Sequence, residues 1–305
     1  MNKENNNVLV SAIITTHNRL ELLKRAIQSV YNQTYSNIEL IVVDDASDDG
    51  TKEWAEQQSF KFIYIPKEKS KGGNYARNLG IKSSHGKYVA FLDDDDYWLP
   101  HKILKQLNLI IDKNCELVFG GRTLELIDSN GKISYKNLLP NPRHCGDMSK
   151  KILRTICCTT TTIFAKREAL FDIGLFDENL KFWQEYELII RLAQRAPFFF
   201  VNESLAVYRV DCNDSNRLTN KYYSWKNAVK YIHTKHQQLY SKLNFWERLG
   251  VKILIWRDAK TRAKSSGLKF HYYRLYIMCF LSKFYNLINI LITGDFKRIK
   301  NKFTK

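Results

Sequence analysis

The chain has 305 residues, of which 44% are hydrophobic and 13% aromatic, and its formal net charge is +17. This composition excludes an extended disordered protein, because the chain can bury enough apolar surface to offset the entropy lost on folding. Thirteen glycines and five prolines also exclude collagen-like and proline-rich architectures.

The positive charge is concentrated at one end of the chain. Residues 1–220 contain 29 basic and 28 acidic residues, whereas residues 221–305 contain 19 basic and three acidic residues. We therefore expect a charge-balanced domain over residues 1–220, followed by a basic, aromatic-rich helical region over residues 221–305.

The cysteines and the apolar segments indicate in which cellular compartment the protein resides. The six cysteines form no C-x-x-C pair and no zinc-like cluster with histidine, so we expect reduced thiols that pack as small hydrophobic side chains. The first ten residues lack the apolar stretch of a secretory signal, which predicts a cytosolic address. Residues 275–293 are the candidate membrane span, but Lys283 interrupts them and leaves apolar runs too short to span alone.

The first 120 residues alternate between short β-branched runs and segments with helical spacing. Helices are predicted to begin at Asn18, with Glu21 three residues later, and around Ile103–Ile111. This alternation implies a mostly parallel sheet covered by helices on both faces. The predicted strands are residues 8–15, 38–43, 60–65 and 87–92.

The pattern becomes less regular after residue 115. Four consecutive threonines within residues 156–164 predict a buried strand, and the alternative is that this stretch lines a binding site. Residues 185–195 then predict a helix and residues 198–201 a strand. Helices are expected from residue 222 onward, with breaks at the glycines at positions 250, 267 and 294.

Acidic residues follow two of the predicted strands. Asp44 and Asp45 follow the second strand, and the run from Asp93 to Asp96 follows the fourth. Ligands of open parallel sheets bind outside the carboxyl ends of the strands. A divalent cation would offset the repulsion among these carboxylates, and carboxylate oxygens suit Mg²⁺ or Mn²⁺. The alternative is a solvated turn in which Asp95 or Asp96 caps the next helix, and the second acidic cluster favours the metal.

Five segments in order resemble the family 2 glycosyltransferases, which have the nucleotide-binding GT-A fold. The resemblance extends over roughly residues 8–210. It implies an α/β fold with a GT-A, Rossmann-like mixed, mostly parallel sheet flanked by helices, followed here by the basic helical region. The segments are SAIITTHNR (11–19), NQTYSNIELIVVDDASDDGT (32–51), GGNYARNLGI (72–81), HGKYVAFLDDDDYWLPHKI (85–103) and IGLFDENLKFWQEYELIIRLA (173–193).

The resemblance implies a nucleotide-sugar site at the sheet edge. By it, Thr15, His17 and Asp45 hold the uridine part of the donor, with His17 in place of the usual tyrosine. Arg77 matches a family position near the donor. Its alternative role is to stabilise the helix that starts near Asn74.

The resemblance also implies the metal ligands and the base. Asp93 and Asp95 occupy the ends of a D-x-D motif and would bind Mn²⁺ or Mg²⁺, with Asp95 the direct ligand and Asp94 close to the donor sugar or ribose. Glu185 aligns with the carboxylate that removes the acceptor proton, and its alternative role is favourable charge at a helix N-terminus. The competing carboxylate, Glu187, should face elsewhere on the helix.

The resemblance predicts a metal-dependent, inverting glycosyltransferase. It would move one sugar from a nucleotide-sugar, a UDP-sugar, to a hydroxyl of a saccharide or lipid-linked acceptor in the synthesis of O-antigen, capsule or lipooligosaccharide. The Q-x-x-R-W motif of processive synthases is not found, which favours transfer of a single sugar. The alternatives are a catalytically silent nucleotide-sugar-binding protein and a basic nucleic-acid-binding protein. No nucleic-acid recognition motif accompanies the positive charge, so we expect no nucleic-acid partner.

The basic region predicts attachment to an anionic membrane surface. Basic residues flank aromatic and aliphatic ones there, a pattern that favours a peripheral position on the inner face of the cytoplasmic membrane. Ser282, Asn286, Asn289 and Thr293 fall on one helical stripe opposite large apolar residues, which predicts a helix lying in the interface plane. The alternative is a helical subdomain that packs on the core or forms a homodimer.

Overall fold

The structure, a computed structural model, describes residues 7–214 and 221–293, with the last eleven of these described as backbone only. The chain divides after Asp214 into two compact units.

The first unit alternates strands and helices through its first half and becomes richer in strands later. Its elements are β1 Val10–Thr16, α1 Leu20–Tyr31, β2 Ile38–Asp45, α2 Thr51–Ala55, β3 Lys61–Ile65, α3 Gly73–Ser83, β4 Tyr88–Asp93, β5 Tyr97–Trp98, α4 Lys102–Asp112, β6 Leu117–Ile127, β7 Ile133–Leu138, β8 Phe164–Lys166, α5 Arg167–Asp172, α6 Gln184–Leu192 and β9 Phe199–Asp211.

Within residues 7–214 the strands form one nine-stranded sheet. Its order is β3-β2-β1-β4-β8-β6-β9-β5, and β7 pairs with β6 outside this path. Strands β1 to β4 are mutually parallel, and β6 is parallel to β9. The remaining pairs are antiparallel. The predicted mixed sheet with flanking helices is therefore confirmed, and its parallel part carries the edge where the acidic residues were expected.

β1 is buried on both faces because helices cover both sides of the sheet. Ile14 belongs to the same apolar core as Leu23 of α1. Ile13 points to the opposite face, below Gly80 of α3, where an added Cβ would lie 2.5 Å from Ile13 Cγ2. The missing side chain at Gly80 lets α3 approach the sheet closely. Coverage of both faces explains why β1 is mostly apolar.

The predicted strand over residues 156–164 is wrong. Thr160–Thr162 form a 3₁₀ turn, and the strand begins only at Phe164. Thr159 N donates to Thr162 Oγ1 at 3.2 Å, and Thr162 Oγ1 donates to the Thr159 carbonyl at 2.9 Å. The threonine hydroxyl thus satisfies backbone groups that a sheet ladder would otherwise use, so β-propensity does not decide this segment.

The start of α1 also differs from the prediction. Asn18 has a φ of 54° and its Oδ1 accepts a hydrogen bond from Asp48 N at 2.7 Å, so it joins two loops instead of capping the helix. The helix begins at Leu20, whose N–H donates to Asp49 Oδ2 at 2.9 Å. The Asp49 carboxylate, from the next loop, therefore accepts a backbone N–H at the start of the helix in place of Asn18.

The second unit is helical. Gly267, with a φ of 69°, follows the end of α9 (Phe245–Ser265), as predicted. Gly250 lies inside α9, contrary to the prediction. Gly294 lies outside the described residues. The helices are α7 Tyr222–Lys235, α8 Gln237–Ser241, α9 Phe245–Ser265 and α10 Lys269–Thr293.

Several large apolar side chains of α10 are exposed. Phe270, Tyr273 and Ile277 are 77%, 64% and 58% exposed, whereas Ser282 is buried. Asn286, Asn289 and Thr293, the other members of the predicted polar stripe, have side chains outside the described residues. In the part of the chain that the structure describes, no helix combines the length and apolar content needed to cross a bilayer.

Candidate active site

The parallel register brings the acidic segments to one edge of the sheet. Thr16 at the end of β1 lies opposite Asp44 of β2, and Thr15 lies opposite Asp93 of β4. The polar residues that follow three neighbouring strands therefore converge at the carboxyl ends, where open α/β sheets bind ligands.

Asp94 is buried at the centre of this edge and accepts several hydrogen bonds. Thr16 Oγ1 donates to Asp94 Oδ2 at 2.8 Å, and His17 N donates to the same oxygen at 3.4 Å. Burial and the neighbouring Asp95 carboxylate raise the pKa of Asp94 to about 6, although the Arg19 guanidinium opposes this shift. Hydrogen bonds from the end of β1 thus hold the loop, and its neighbouring carboxylates repel one another.

Arg19 connects three carboxylates, a role that the sequence did not suggest. Its Nη1 lies 3.2 Å from Asp94 Oδ1 and 2.9 Å from Asp95 Oδ2, while Nη2 lies 3.1 Å from Asp214 Oδ2. The available signal was an arginine directly after β1, at the same edge as the acidic run. Its partner Asp214 is 195 residues away, so spacing alone gave no indication of that contact.

Asp96 ties the acidic loop to β9. Its Oδ1 accepts the Arg209 backbone N–H at 3.0 Å, and its Oδ2 has no hydrogen-bond partner among the described residues. Burial raises the pKa of Asp96 well above its usual range, and the neighbouring aspartates add to this. Because α4 begins at Lys102, neither Asp95 nor Asp96 caps it, and the helix-capping alternative is wrong.

The residues expected to hold uridine lie together. His17 Nδ1 is 2.6 Å from the Asp45 carbonyl oxygen, which orients the exposed ring beside the end of β2. The Asp45 side chain is buried, and its Oδ1 has no hydrogen-bond partner among the described residues. Burial raises the pKa of Asp44, whose Oδ1 accepts hydrogen bonds from Ser47 N at 3.0 Å and Ser47 Oγ at 2.6 Å. Thr15 is half-buried at the same edge.

Arg77 joins the acidic loop to α6. From α3, its Nη2 donates to Asp93 Oδ1 at 2.7 Å and its Nη1 donates to Gln184 Oε1 at 3.0 Å. Nη1 also reaches Asn74 Oδ1 at 3.3 Å. The same guanidinium thus contacts the start of its own helix, the alternative role weighed from the sequence, and also the loop that carries Asp93.

α6 presents its two glutamates to different surroundings. Glu185 is half-buried in the first turn, next to Gln184. Glu187 is fully buried and pairs with Arg191, whose Nη2 lies 2.6 Å from Glu187 Oε2. Glu187 is therefore committed to an interior ion pair, while Glu185 remains partly accessible to solvent.

Two adjacent thiols lie near Glu185. Cys157 Sγ is 3.9 Å from Cys158 Sγ, and both cysteines are free. The Cys157 thiol and burial raise the pKa of Cys158 well above its usual range, and the Glu185 carboxylate adds to this. The segment before the threonine turn therefore lies in the neighbourhood of Glu185.

Asp93 and Asp95 fit a Mg²⁺ or Mn²⁺ site in their chemistry. Their side chains are 27% and 29% exposed, so both carboxylates can be reached from solvent. No group of three or more His, Cys, Asp or Glu side chains that could enclose a metal occurs in residues 7–214 or in the described part of the second unit. Such a closed cage is not required, because these cations commonly use one or two protein carboxylates and complete their shell with substrate phosphates and water.

Comparison with known proteins identifies sequence relatives. The sequence profile described as "Glycosyl transferase family 2" matches residues 11–173. An uncharacterized glycosyltransferase of Rickettsia typhi is 34% identical over 219 residues, which cover 70% of this chain and 68% of that protein. A similar one from Rickettsia bellii is 32% identical, and the match covers 70% of this chain but only 30% of that relative. In Escherichia coli, UDP-Glc:alpha-D-GlcNAc-diphosphoundecaprenol beta-1,3-glucosyltransferase WfgD is 34% identical, with 45% of this chain and 56% of that protein covered.

Solved structures share the fold. Staphylococcus aureus TarS 1-349 in complex with UDP-GlcNAc superimposes with a TM-score of 0.53 at 15% identity, covering 88% of this chain and 89% of that one. The mannosyltransferase PcManGT from Pyrobaculum calidifontis, in complex with GDP-Man and Mn²⁺, gives a TM-score of 0.53 at 16% identity, covering 96% and 87%. These likenesses show the GT-A fold, as the sequence predicted.

Proposed function

This chain belongs to glycosyl transferase family 2, and we propose that it is a metal-dependent, inverting glycosyltransferase that moves one sugar from a UDP-sugar to an acceptor hydroxyl. The observation that carries the proposal is the pair of hydrogen bonds from Arg77. They link Asp93 of the acidic loop to Gln184, which directly precedes Glu185. Donor and acceptor groups can therefore meet within one site.

The donor nucleotide would lie along the carboxyl ends of β1 and β2. Thr15, His17 and Asp45 would hold the uridine, and the buried, unpartnered Oδ1 of Asp45 supports this because it can accept a hydrogen bond from the nucleotide. Asp94 would lie beside the ribose or the donor sugar. Arg77 would orient the Asp93 carboxylate towards the same pocket.

Asp95 and Asp93 would hold Mn²⁺ or Mg²⁺. When bound, such a cation supplies Lewis-acid stabilisation of the negative charge that develops on the departing nucleoside diphosphate. The Mn²⁺ in the complex of PcManGT supports a divalent cation in proteins of this fold.

Glu185 would be the general base. Its carboxylate would take the proton of the acceptor hydroxyl as the oxygen attacks the anomeric carbon from the side opposite the nucleotide. The new glycosidic C–O bond forms as the C–O bond to the phosphate breaks, so the configuration at the anomeric carbon is inverted. The nucleoside diphosphate leaves with the bonding electron pair.

The acceptor class follows from the relatives and the charge distribution. The E. coli relative is named for a diphosphoundecaprenol-linked acceptor. We extend this to a saccharide or lipid-linked acceptor for the present chain, used in bacterial surface-polysaccharide synthesis. The basic region over residues 221–305 supports a peripheral position at the anionic inner face of the cytoplasmic membrane.

Nucleotide release from a panel of nucleotide-sugars, measured with and without EDTA, tests the proposal. We expect turnover that EDTA abolishes and Mn²⁺ restores, and we expect Asp95→Asn to lose it. Asp48→Asn is the matched control, because Asp48 is an exposed carboxylate in the neighbouring loop. Turnover that is insensitive to EDTA would contradict the metal assignment. Nucleotide binding without turnover would favour the silent binding protein.

A further inference from the structure

A guanidinium already neutralises the carboxylate that is expected to bind the metal. Arg19 lies 2.9 Å from Asp95 and 3.2 Å from Asp94. These contacts are only partly screened, since the side chains of Arg19, Asp94 and Asp95 are 31%, 8% and 29% exposed. A divalent cation approaching Asp95 must therefore compete with a cation that the chain itself supplies.

Arg19 has a second anionic partner at the same site. Its Nη2 lies 3.1 Å from Asp214, just beyond the end of β9, so the guanidinium can give up Asp95 and remain paired. Its attachment to Asp94 and Asp95 uses one nitrogen, Nη1, and its attachment to Asp214 uses the other. The three contacts can therefore be exchanged one at a time without leaving the positive charge unpaired.

The acidic loop does not depend on Arg19 for its position. Arg25 donates to the Asp95 backbone carbonyl at 2.7 Å and pairs with Glu125 at 3.1 Å, which holds the loop backbone without contacting a carboxylate of the acidic run. The Arg209 N–H fixes Asp96 from β9. Because Arg25 and Arg209 hold the loop, the contact between Arg19 and Asp95 can break without displacing the loop.

We propose that Arg19 is a gating counter-ion, which holds Asp95 while the donor site is empty and yields it to a divalent cation only as the nucleoside diphosphate arrives. This inference rests on the proposed function for the identity of the cation and the nucleotide. The incoming diphosphate offers the displaced guanidinium a new anionic partner, in addition to Asp214. The cation and the nucleotide therefore bind cooperatively, and the cation alone binds weakly.

Binding of Mn²⁺ alone and of UDP with Mn²⁺ present tests this on the full chain, without any turnover. Free Mn²⁺ is followed by electron paramagnetic resonance, and UDP binding by calorimetry. For Arg19→Gln we expect Mn²⁺ alone to bind roughly threefold to tenfold more tightly, because a partly exposed competing charge is gone. UDP should bind more weakly to the same variant, so the two affinities move in opposite directions.

Two further variants separate gating from a structural role. Asp214→Asn removes the second partner of Arg19 and should weaken binding of Mn²⁺ alone, the opposite of Arg19→Gln. Arg19→Lys keeps the positive charge and should restore part of the UDP affinity. Arg25→Gln is the matched control, since it loosens the same loop without freeing a carboxylate of the acidic run and should shift both affinities in one direction.

Equal Mn²⁺ affinity in the wild-type chain, Arg19→Gln and Asp214→Asn would overturn the inference. It would also be overturned if Arg19→Gln lost Mn²⁺ and UDP affinity together, as Arg25→Gln is expected to do. A chain that shows the opposed shifts but transfers no sugar would contradict the proposed function alone. The two failures are therefore distinguishable.

Discussion

Glu185 and Glu187 are two residues apart on α6, yet they lie in different surroundings. Glu187 is fully buried and paired with Arg191, whereas Glu185 is half-buried in the first turn beside Gln184. Sequence reasoning separated them by helical geometry, since residues two apart do not share a face. The burial of Glu187 with its arginine was not predictable, because it depends on how the whole helix packs.

Glu185→Gln should strongly lower the rate of sugar transfer and leave folding and nucleotide binding intact. A general base typically contributes ~10²–10⁴-fold to the rate, so we expect a loss in that range. The measurement is turnover together with UDP affinity and thermal unfolding. Glu168→Gln is the matched control, because Glu168 is an exposed glutamate in the first turn of α5. If Glu185 served only as charge at a helix N-terminus, both variants would lose a little stability and keep full turnover.

Lys102 is a buried amine that the proposed chemistry does not use. Its side chain is fully buried, and its Nζ has no hydrogen-bond partner among the described residues, although it lies 4.3 Å from the centroid of the Trp98 ring. Burial lowers the pKa of Lys102 well below its usual range. Folding therefore disfavours the protonated amine, at a cost to stability wherever the unfolded chain would be protonated.

Lys102→Met should stabilise the protein and reduce the rise of its free energy of unfolding with pH. Between the lowered folded pKa and the ordinary lysine value, the unfolded chain binds a proton that the folded chain does not. The free energy of unfolding therefore rises with pH, by at most about 1.4 kcal/mol per unit. The methionine variant lacks this contribution, which urea titrations at several pH values would detect.

Lys105→Met is the matched control for this measurement. Lys105 lies on the same helix but is more exposed and pairs with Glu203. It should retain the wild-type slope of stability against pH. Parallel curves for the wild-type chain and Lys102→Met would show that the buried amine does not titrate as expected.

At the scale of elements, α6 is held by its own interior ion pair. Arg191 pairs with Glu187 and also donates to the backbone carbonyls of Ile173 and Leu175, the latter at 2.6 Å. These carbonyls lie in the turn after α5, where Leu175 has a φ of 63°. One arginine therefore fixes both the helix that carries Glu185 and the turn that precedes it.

Arg191→Met should destabilise the protein by about 3–5 kcal/mol, because it leaves the Glu187 carboxylate buried without its partner. The double variant Glu187→Leu/Arg191→Met should recover much of that loss, since no buried charge remains. Urea denaturation of the single and double variants measures both effects. If the losses of the two single variants simply added in the double variant, the residues would not be coupled as the structure indicates.

Element prediction succeeded where periodicity and burial agreed, and failed where side chains bond to the backbone. The apolar runs of β1, β2 and β4 were found because a sheet covered on both faces requires them. The threonine segment was taken for a strand because β-propensity takes no account of hydroxyl groups that satisfy their own backbone. The start of α1 was mispredicted because the Asp49 carboxylate, 29 residues along the chain from Leu20, replaces the expected cap.

For the whole molecule, the charge asymmetry and the apolar face of α10 belong to the same unit. Within residues 221–282 both acidic side chains are engaged, since Glu247 joins a capping box with Asn244 and Asp258 pairs with Arg262 at 2.9 Å. The remaining charged surface within residues 221–282 is therefore basic. Composition revealed this asymmetry directly, whereas which apolar residues of α10 face solvent could not be read from the sequence.

We expect the full chain to float with anionic vesicles and not with neutral ones, and to be released by high salt. Each basic residue near an anionic surface contributes about 1 kcal/mol, which salt screens. Phe270→Ser/Ile277→Ser should reduce flotation, because it removes two of the most exposed apolar side chains of α10. Ile133→Ser/Leu139→Ser is the matched control, since it removes exposed apolar side chains from the first unit.

The same variants decide between membrane attachment and self-association. If the wild-type chain sediments as a dimer, Phe270→Ser/Ile277→Ser as a monomer, and neither floats, then α10 mediates dimerisation and the membrane proposal is contradicted. Flotation that depends on α10 in a monomeric protein would contradict the homodimer.

Arg209 N, on β9, donates a hydrogen bond to Asp96, so hydrogen exchange at this amide reports on the acidic loop. This amide can exchange its proton for deuterium only when Asp96 releases it, so its exchange rate records how often the loop opens. Measuring this exchange rate requires no sugar, no metal and no knowledge of the natural acceptor. A donor nucleotide that tightens the loop should slow exchange at this one backbone position, and a nucleotide that binds elsewhere should leave it unchanged.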